Sequence, residues 1–422
     1  MIRIFATWLG KFIQLILRVR GSGGQALPGL IIEKIAPNYL SSMLSQIPEG
    51  VVVVTGTNGK TTTTKMIVEL LEAEGKKVLT NKTGSNLTRG IVSSIAAQAS
   101  LKGNLDFDLA ILELDEAFAK QFVKKITPTW VVALNVSRDQ LDRFGEVDAV
   151  ARLIGETMSK ASVGIVTNAN DPHLSQIAEK INVPNKKFFG LSKDMAIHFP
   201  TDSEIVAVGE APKKTIENTK SLLFELSDFN DKNVTFTSEG SVYQAKLKLD
   251  GQHNFLNAAA ALSLVKCLLP ESKAEDLIKI IENLKPAFGR GEYYRLENGS
   301  RIQLALVKNP ASFRQSLASY LGTDTKVMIA INDNYADSRD TSWLWDVDFS
   351  LLKNHQVLLT TGSRAADMAL RLSYDGIKVT EIQEDLGDAL ASFSAIDGDK
   401  LILSSYTAML WLHKELSSKA GK

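Results

Sequence analysis

Among 422 residues there is one cysteine, Cys267, which excludes an internal disulfide framework and any four-cysteine zinc site built from this chain alone. The expectation that follows is a reducing compartment, the cytoplasm. Five histidines, His173, His198, His253, His355 and His413, are scattered without H-E-x-x-H or comparable ligand spacing, so a protein-held transition metal is not expected. Excess charge is missing too: 48 Lys plus Arg balance 48 Asp plus Glu, which argues against a polyanion-binding surface and against nucleic acid as a partner. A membrane span needs about 20 apolar residues, and the one stretch that approaches this, Ile4 to Val19, is interrupted by Lys11. Its residues Phe5, Trp8, Leu9, Phe12, Ile13 and Ile16 follow helical spacing, so an amphipathic helix is the economical reading. Packing against a domain is the first expectation for that helix. Contact with a membrane surface, helped by Arg18 and Arg20, is the second.

The length, at roughly 150 residues per domain, suggests two or three domains, and 44% hydrophobic residues are enough for each to bury a core. After a Gly-rich connector, Gly21 to Gly24, the β-branched run Val51 to Thr55 reads as a buried strand. A helix is expected at about 61–75, strands near 77–80, 108–114 and 129–136, a helix near 147–160 and a strand near 162–167, an alternation that argues for a mostly parallel sheet covered by helices. Between about 200 and 250 short alternating segments suggest an inserted β-hairpin. A turn-rich stretch, Pro286 to Gly291, supplies a hinge, and renewed alternation beyond it reads as a small Rossmann-like α/β domain. The expected organisation is α/β throughout: an N-terminal helix and connector over 1–45, a central domain over 46–290 and a C-terminal domain over 291–422.

The strongest chemical signal is Thr55-Gly56-Thr57-Asn58-Gly59-Lys60-Thr61-Thr62, set between a buried strand and a helix. Gly56 and Gly59 let backbone N–H groups, including those of Thr57, Asn58 and Thr62, approach phosphate oxygens at the positive end of the helix. Lys60 can reach a transferring phosphate, and the Thr61 hydroxyl can ligate magnesium. This phosphate loop is shorter than G-x-x-x-x-G-K-[ST], because Val54 stands where the first glycine would be.

G-T-N-G-K-T-T resembles the ATP loop of the Mur ligase superfamily, and further segments follow in that superfamily's order. The resemblance implies ATP and Mg2+ as cofactors and a Mur-ligase-like central ATPase domain. Glu113, in Ile111-Leu-Glu-Leu-Asp-Glu116, resembles the magnesium-binding glutamate, with Asp115 and Glu116 able to share the role. Asn135-Val-Ser-Arg-Asp-Gln-Leu-Asp-Arg143 is similar to N-x-x-x-D-H-L-D-R, with Gln140 in place of a metal-binding histidine. Asn168-Ala-Asn-Asp-Pro172 and Gly251-Gln-His-Asn-Phe-Leu-Asn257 resemble the nucleotide-side segments, which implies that Asn254 or Asn257 meets the adenine. Arg290, in Phe288-Gly-Arg-Gly-Glu292, stands where the superfamily carries an arginine that reaches the phosphates on domain closure.

The C-terminal third is similar to the MurT family, the ligase subunits of lipid II isoglutaminyl synthases. Lys308-Asn-Pro-Ala-Ser-Phe313, Asn332-Asp-Asn-Tyr-Ala-Asp337, Asp340-Thr-Ser-Trp-Leu-Trp-Asp-Val-Asp-Phe349, Gly362-Ser-Arg-Ala-Ala366 and Tyr406-Thr-Ala-Met-Leu410 carry that likeness. It implies amidation of a stem-peptide D-glutamate in lipid II through an acyl phosphate, with ammonia from a GatD-like glutaminase in a heterodimer. An amino-acid-adding ligase of Mur or folylpolyglutamate type is the rival. Within the same likeness Asp346 or Asp348 lends a carboxylate to the glutaminase, with Asp346 preferred, and Thr83, Ser85, Asn86 and Arg89 face the acceptor. Cys267 sits in an apolar helical run and reads as core filling rather than as a glutaminase nucleophile. Many relatives carry a four-cysteine zinc ribbon in the middle domain, and residues 195–250 contain no cysteine, so that module is expected to be absent or replaced by metal-free hairpin packing. The implied location is cytoplasmic, at the inner face of the membrane if the N-terminal helix meets lipid.

Overall fold

Val51–Thr55 is a run of β-branched residues with no polar alternation, and it forms strand β1 with all five side chains buried, the mark of a strand covered on both faces. The structure, a computed structural model, describes residues 2–19, 26–81, 88–137, 147–196, 198–199, 220–249, 251–284, 290–296 and 299–419. Around β1 lie β2 (Val78–Thr80), β3 (Leu109–Glu113), β4 (Trp130–Ala133), β5 (Gly164–Asn168), β6 (Asn185–Leu191), β7 (Leu222–Asn230), β8 (Asn233–Ser238) and β9 (Ser241–Lys246). They make one nine-stranded sheet in the order β2-β3-β1-β4-β5-β6-β7-β8-β9. The first seven positions are parallel and the last two antiparallel. The segment expected as an inserted hairpin is thus a three-stranded meander, with β7 adding in parallel to β6 and so extending the main sheet.

The helices of this part are α1 (Ile2–Val19), α2 (Leu27–Ile35), α3 (Tyr39–Leu44), α4 (Lys60–Ala73), α5 (Thr88–Gln98), α6 (Glu116–Phe122), α7 (Val147–Met158), α8 (Pro172–Lys180), α9 (Lys193–Ala196), α10 (Gln252–Leu268) and α11 (Ala274–Glu282). They cover both faces of the sheet, and the two apolar layers that result form separate cores. Fully burying one Val, Leu or Ile side chain stabilises a fold by about 1.5–3 kcal/mol, so these layers hold the sheet's edges in register. In α10 four consecutive alanines, Ala258–Ala261, are fully buried. Their small side chains let α10 pack directly against α4, which brings the N-terminal turn of α10 to the phosphate loop.

A second sheet has the order β10-β11-β15-β12-β13-β14, built from Arg290–Arg295, Arg301–Leu306, Lys326–Ala330, Val357–Thr361, Val379–Gln383 and Lys400–Ser404 for β10 to β15 in chain order. Only the β10–β11 pair is antiparallel. Helices α12 (Pro310–Tyr320), α13 (Ala365–Tyr374), α14 (Leu386–Ala395) and α15 (Tyr406–Lys419) cover it, again with a core on each face. Strands β10 and β14 carry no clear apolar alternation and were not expected from sequence; both are edge strands.

The N-terminal helix packs against the domain, as first expected, but not through its aromatic side. It packs on α2 and α5 through Ala6, Thr7 and Gly10, while Phe5, Trp8, Phe12 and Leu15 point to solvent.

Candidate active site

Thr55 ends β1, and the chain turns through Gly56 to Gly59 before α4 begins at Lys60. Gly59 has φ +86, and a Cβ there would lie 2.4 Å from Asn257 Oδ1. Only glycine both adopts that backbone and lets α10 come so near. The turn is tied on its other side to the chain after β4. Thr57 N donates to Asn135 O at 3.0 Å, Asn58 N donates to Asn135 Oδ1 at 2.8 Å, and Asn135 Nδ2 returns a bond to Asn58 O at 2.9 Å.

One ion pair and one hydroxyl–carboxylate hydrogen bond stand at the head of α4. Lys60 Nζ is buried and donates to Gly56 O at 2.5 Å and to Glu116 Oε1 at 3.2 Å. Thr61 Oγ1 donates to Glu113 Oε1 at 2.9 Å. Glu113 is the last residue of β3, and Asn81 clamps it there: Glu113 N donates to Asn81 Oδ1 at 2.9 Å and Asn81 Nδ2 donates to Glu113 O at 3.0 Å. Of the three acidic residues at this strand end, Asp115 faces away and caps α6, accepting from Ala117 N at 3.2 Å. Glu113 and Glu116 are the pair at the loop. Sequence spacing could not separate the three, because the partners of each come from other segments.

Beside the loop opens a cavity of about 770 Å3. The loops at the strand ends of the first sheet line it with Asn58, Gly59, Asn135, Asn168 and Asn170, α10 adds Asn257, and α12 closes it with Ala311, Arg314 and Gln315. Asn257 therefore faces the cavity, whereas Asn254 is buried behind it and is in hydrogen-bond contact with Asn257 at 3.4 Å. Asp171 stands in the wall with Oδ2 accepting from Val136 N at 2.7 Å and Oδ1 from Leu174 N at 3.0 Å. Burial pushes its carboxyl above the usual range, and those two donors oppose the shift. His173, His198 and His253, far apart in sequence, all reach this cavity; among the described residues no cluster of His, Cys, Asp or Glu could hold a metal by itself. Thr62 borders a smaller space of about 30 Å3, shared with Ser312 and Ser316, that has Asn58, Gly59, His253 and Gln315 in common with the large cavity.

The second sheet touches the loop directly. Just past β11, Lys308 Nζ donates to Thr57 O at 3.2 Å and Asn309 Nδ2 to Asn58 Oδ1 at 3.2 Å. Asn309 also caps α12 in a reciprocal box with Ser312, so its side chain is fixed by the same helix that closes the cavity. Neither contact was legible in the sequence, where Lys308 and Asn309 carried only a family likeness.

The remaining candidates fall in different places. Arg290 begins β10, its backbone opposite Ala305, and its side chain lies outside the described residues. Thr83, Ser85 and Asn86, and the Arg138 to Arg143 segment with Gln140, lie outside them as well. Arg89 is in the first turn of α5, 3.7 Å from Glu33 Oε2. Asp346 ends a 3-10 helix, exposed beside the exposed Trp345, while Trp343 of the same turn is buried against Phe313. Asp348 lines the large cavity, with Oδ1 accepting from Ser350 N at 2.9 Å. The two aspartates thus serve different surfaces. Burial pushes the Cys267 thiol up to about 12, which keeps it protonated and unreactive at neutral pH.

The residues present fit a magnesium nucleotide. Asn58 Nδ2 is a buried donor with no hydrogen-bond partner among the described residues and sits at the cavity. Thr61 and Glu113 offer two hard oxygen donors side by side, which suits a cation that completes its shell with phosphate oxygens and water. Lys60 and the N-terminus of α4 supply positive charge for phosphates.

Comparison with known proteins gives the family and the fold. Residues 54–265 match the sequence model of the Mur ligase middle domain, and residues 306–409 that of the MurT ligase C-terminal domain. The chain is 29% identical to the lipid II isoglutaminyl synthase (glutamine-hydrolyzing) subunit MurT of Staphylococcus aureus, over 98% of this chain and 97% of that protein. It is 30% identical to the protein of the same name from Streptococcus pneumoniae, over 94% of this chain and 93% of that one. In three dimensions it resembles MurF ligase from Thermotoga maritima in complex with ADP, with a TM-score of 0.66 and 19% identity, over 93% of this chain and 85% of that chain. At that identity the likeness is one of fold.

Proposed function

The chain belongs to the MurT family of ATP-dependent, Mur-type ligases, and from that premise we propose that it amidates the α-carboxylate of D-glutamate in the lipid II stem peptide to give D-isoglutamine. The observation that carries the reading is the loop itself: Lys60 and Thr61 at the head of α4, each facing a buried carboxylate, beside a cavity that the second sheet closes.

In the proposed reaction a carboxylate oxygen attacks the γ-phosphorus of ATP, the bond to the bridging oxygen breaks and ADP leaves. Ammonia then attacks the acyl carbon, phosphate departs with the electron pair of the C–O bond, and the surplus proton on nitrogen passes to phosphate or solvent. Lys60 and the backbone N–H groups of Gly56 to Thr62 bind the phosphates and hold them in line. Thr61 and Glu113 would hold magnesium, which would supply neutralisation of the charge on the moving phosphoryl group. Asn257 borders the purine end of the cavity, with Asn254 holding its amide in place. Arg290 reaches the phosphates when the second sheet closes on the loop, and Lys308 and Asn309 latch that closure. Water exclusion matters because an acyl phosphate hydrolyses.

The nitrogen comes from a separate GatD-like glutaminase. Cys267, the only cysteine, is held protonated by burial, so this chain has no thiolate for glutamine hydrolysis. Asp346, exposed beside Trp345, is the carboxylate offered to that partner. The acceptor meets the enzyme through Thr83, Ser85, Asn86 and Arg89, in the cytoplasm at the inner face of the membrane. Among the described residues no helix is long and apolar enough to cross a membrane.

The test is mass spectrometry of detergent-dispersed lipid II after incubation with the chain, ATP, magnesium and ammonium. Replacement of one carboxyl by a carboxamide is the expected result. Mass growth only when a free amino acid is supplied would replace ammonia by an amine nucleophile and overturn the reading.

A further inference from the structure

Helix α1 is amphipathic, but it is mounted with its polar side inward. Thr7 is fully buried, bonded to Arg3 O at 3.0 Å and to Tyr39 Oη at 2.8 Å. Lys11 Nζ donates to Ala97 O at 2.7 Å and Gln14 Nε2 to Ser93 O at 2.8 Å, both on α5. Gly10 and Ala6 complete the packed face against α2 and α5. The opposite face is Ile2, Phe5, Trp8, Phe12, Leu15, Ile16 and Val19, of which Phe5 is 60%, Trp8 55%, Phe12 60% and Leu15 59% exposed. Leu101 continues the face: it is exposed, and its carbonyl accepts from Trp8 Nε1 at 2.7 Å. That bond satisfies the indole N–H and leaves the ring as apolar surface.

A helix that only needed to cover the domain would be turned the other way, since burying the aromatic side gains far more than burying Thr7, Lys11 and Gln14. Contiguous apolar surface of this kind on a folded chain marks a docking site. Charge selects the occupant. The first acidic residue in the sequence is Glu33, and before it, besides Lys11, whose ammonium is turned inward to Ala97 O, stand Arg3, Arg18 and Arg20; an N-terminal segment of one charge sign with Trp and Phe on its outer face suits an anionic bilayer surface.

We propose that α1 is a membrane-docking helix that lies in the plane of an anionic lipid surface, with Phe5, Trp8, Phe12 and Leu15 in the acyl boundary. This rests on the membrane location proposed above and deepens it; it does not depend on the ligation chemistry. The mounting also aims the enzyme. Helix α2, on which α1 packs, meets the start of α5 so closely that a Cβ on Gly29 would lie 1.9 Å from Arg89 O. Docking through α1 therefore carries the first turn of α5, and with it the proposed acceptor-binding Arg89, toward a lipid-linked substrate.

Sedimentation of the full chain with vesicles tests this, using phosphatidylcholine with and without about a third phosphatidylglycerol. Expected is binding to the anionic vesicles, weaker binding to the neutral ones, and reversal by salt. The double variant Trp8→Ser, Phe12→Ser changes only exposed side chains, and should bind anionic vesicles at least tenfold more weakly while amidating detergent-dispersed lipid II at the parent rate. A parent chain that stays in the supernatant with both vesicles overturns the proposal. So does light scattering that shows a dimer which the double variant dissolves without any vesicle binding, because the occupant would then be a second copy. If vesicle binding holds and detergent-dispersed lipid II is not amidated, it is the ligase reading that falls.

Discussion

Each sheet places polar residues at the carboxyl ends of its parallel strands, and the two sets are wired differently. At the end of the first sheet Lys60, Glu116 and Glu113 bring full charges together beside Thr61 under low exposure, and Asn58 has, among the described residues, an unmatched donor at the cavity. At the end of the second, Asp337 Oδ1 and Oδ2 accept from Thr407 N at 2.7 Å and Thr407 Oγ1 at 2.6 Å, and Asn334 Nδ2 donates to the same hydroxyl at 2.9 Å. Asp333 takes Ser363 Oγ at 2.7 Å and Arg364 Nε at 3.0 Å, and these partners hold its carboxyl below the usual range. On the proposed reading one strand end exchanges its internal partners for a ligand, and the other is bonded chiefly to itself. The second sheet is a part that is brought to the loop, and the loop is where charge is handled.

Lys60→Ala attacks the comparison where it is strongest. Amidation should fall by about 10³-fold or more, while the double variant Lys60→Ala, Glu116→Gln, which removes both charges of the buried pair and so leaves none uncompensated, should unfold near the parent temperature. A large drop in melting temperature would mean that the Lys60–Glu116 pair is structural, and the two strand ends would then be alike. Glu113→Gln keeps the shape and removes the charge. Its rate should fall by about 10²-fold and recover in part as magnesium is raised; loss that magnesium does not relieve would move the cation elsewhere.

Asp337→Ala tests the other side. It leaves Thr407 N and Oγ1 without their acceptor, and about 1–3 kcal/mol of stability should go with them. Hydrogen exchange should quicken in β12 and in the first turn of α15, with β1 and α4 unchanged and nucleotide affinity intact. Exchange that quickens equally in both sheets would show that they unfold as one unit.

The phosphate loop was legible because it is a continuous run of residues whose φ, charge and hydroxyl chemistry all act within one turn. The parallel order of both sheets was legible for a similar reason, since buried strands such as Val51–Thr55 read as unbroken apolar runs. Edge strands β10 and β14 were not, because they bury too little to impose a pattern. Nor were the roles of Glu116 against Asp115, of Asn257 against Asn254, or of Asn81 at Glu113, since each depends on which segment folds back upon it. The orientation of α1 was hidden for another reason. Helical periodicity states that a face is apolar but not which way it turns, and here Thr7, Lys11 and Gln14 find backbone and side-chain partners inside.

The smallest expected effect falls between the two sheets. Lys308 Nζ reaches Thr57 O and Asn309 Nδ2 reaches Asn58 Oδ1, so both ties end on the phosphate loop. A single hydrogen bond from a charged donor contributes about 1.5–3 kcal/mol in a favourable setting, less when partly exposed, and Lys308 is only partly buried. Lys308→Ala should therefore raise KM for ATP by about three- to tenfold and leave stability unchanged, since neither sheet's core contains it. A fall in kcat with KM unchanged would assign Lys308 to the moving phosphoryl group rather than to the closed arrangement of the two sheets, and the second strand end would then take part in the chemistry it otherwise only encloses.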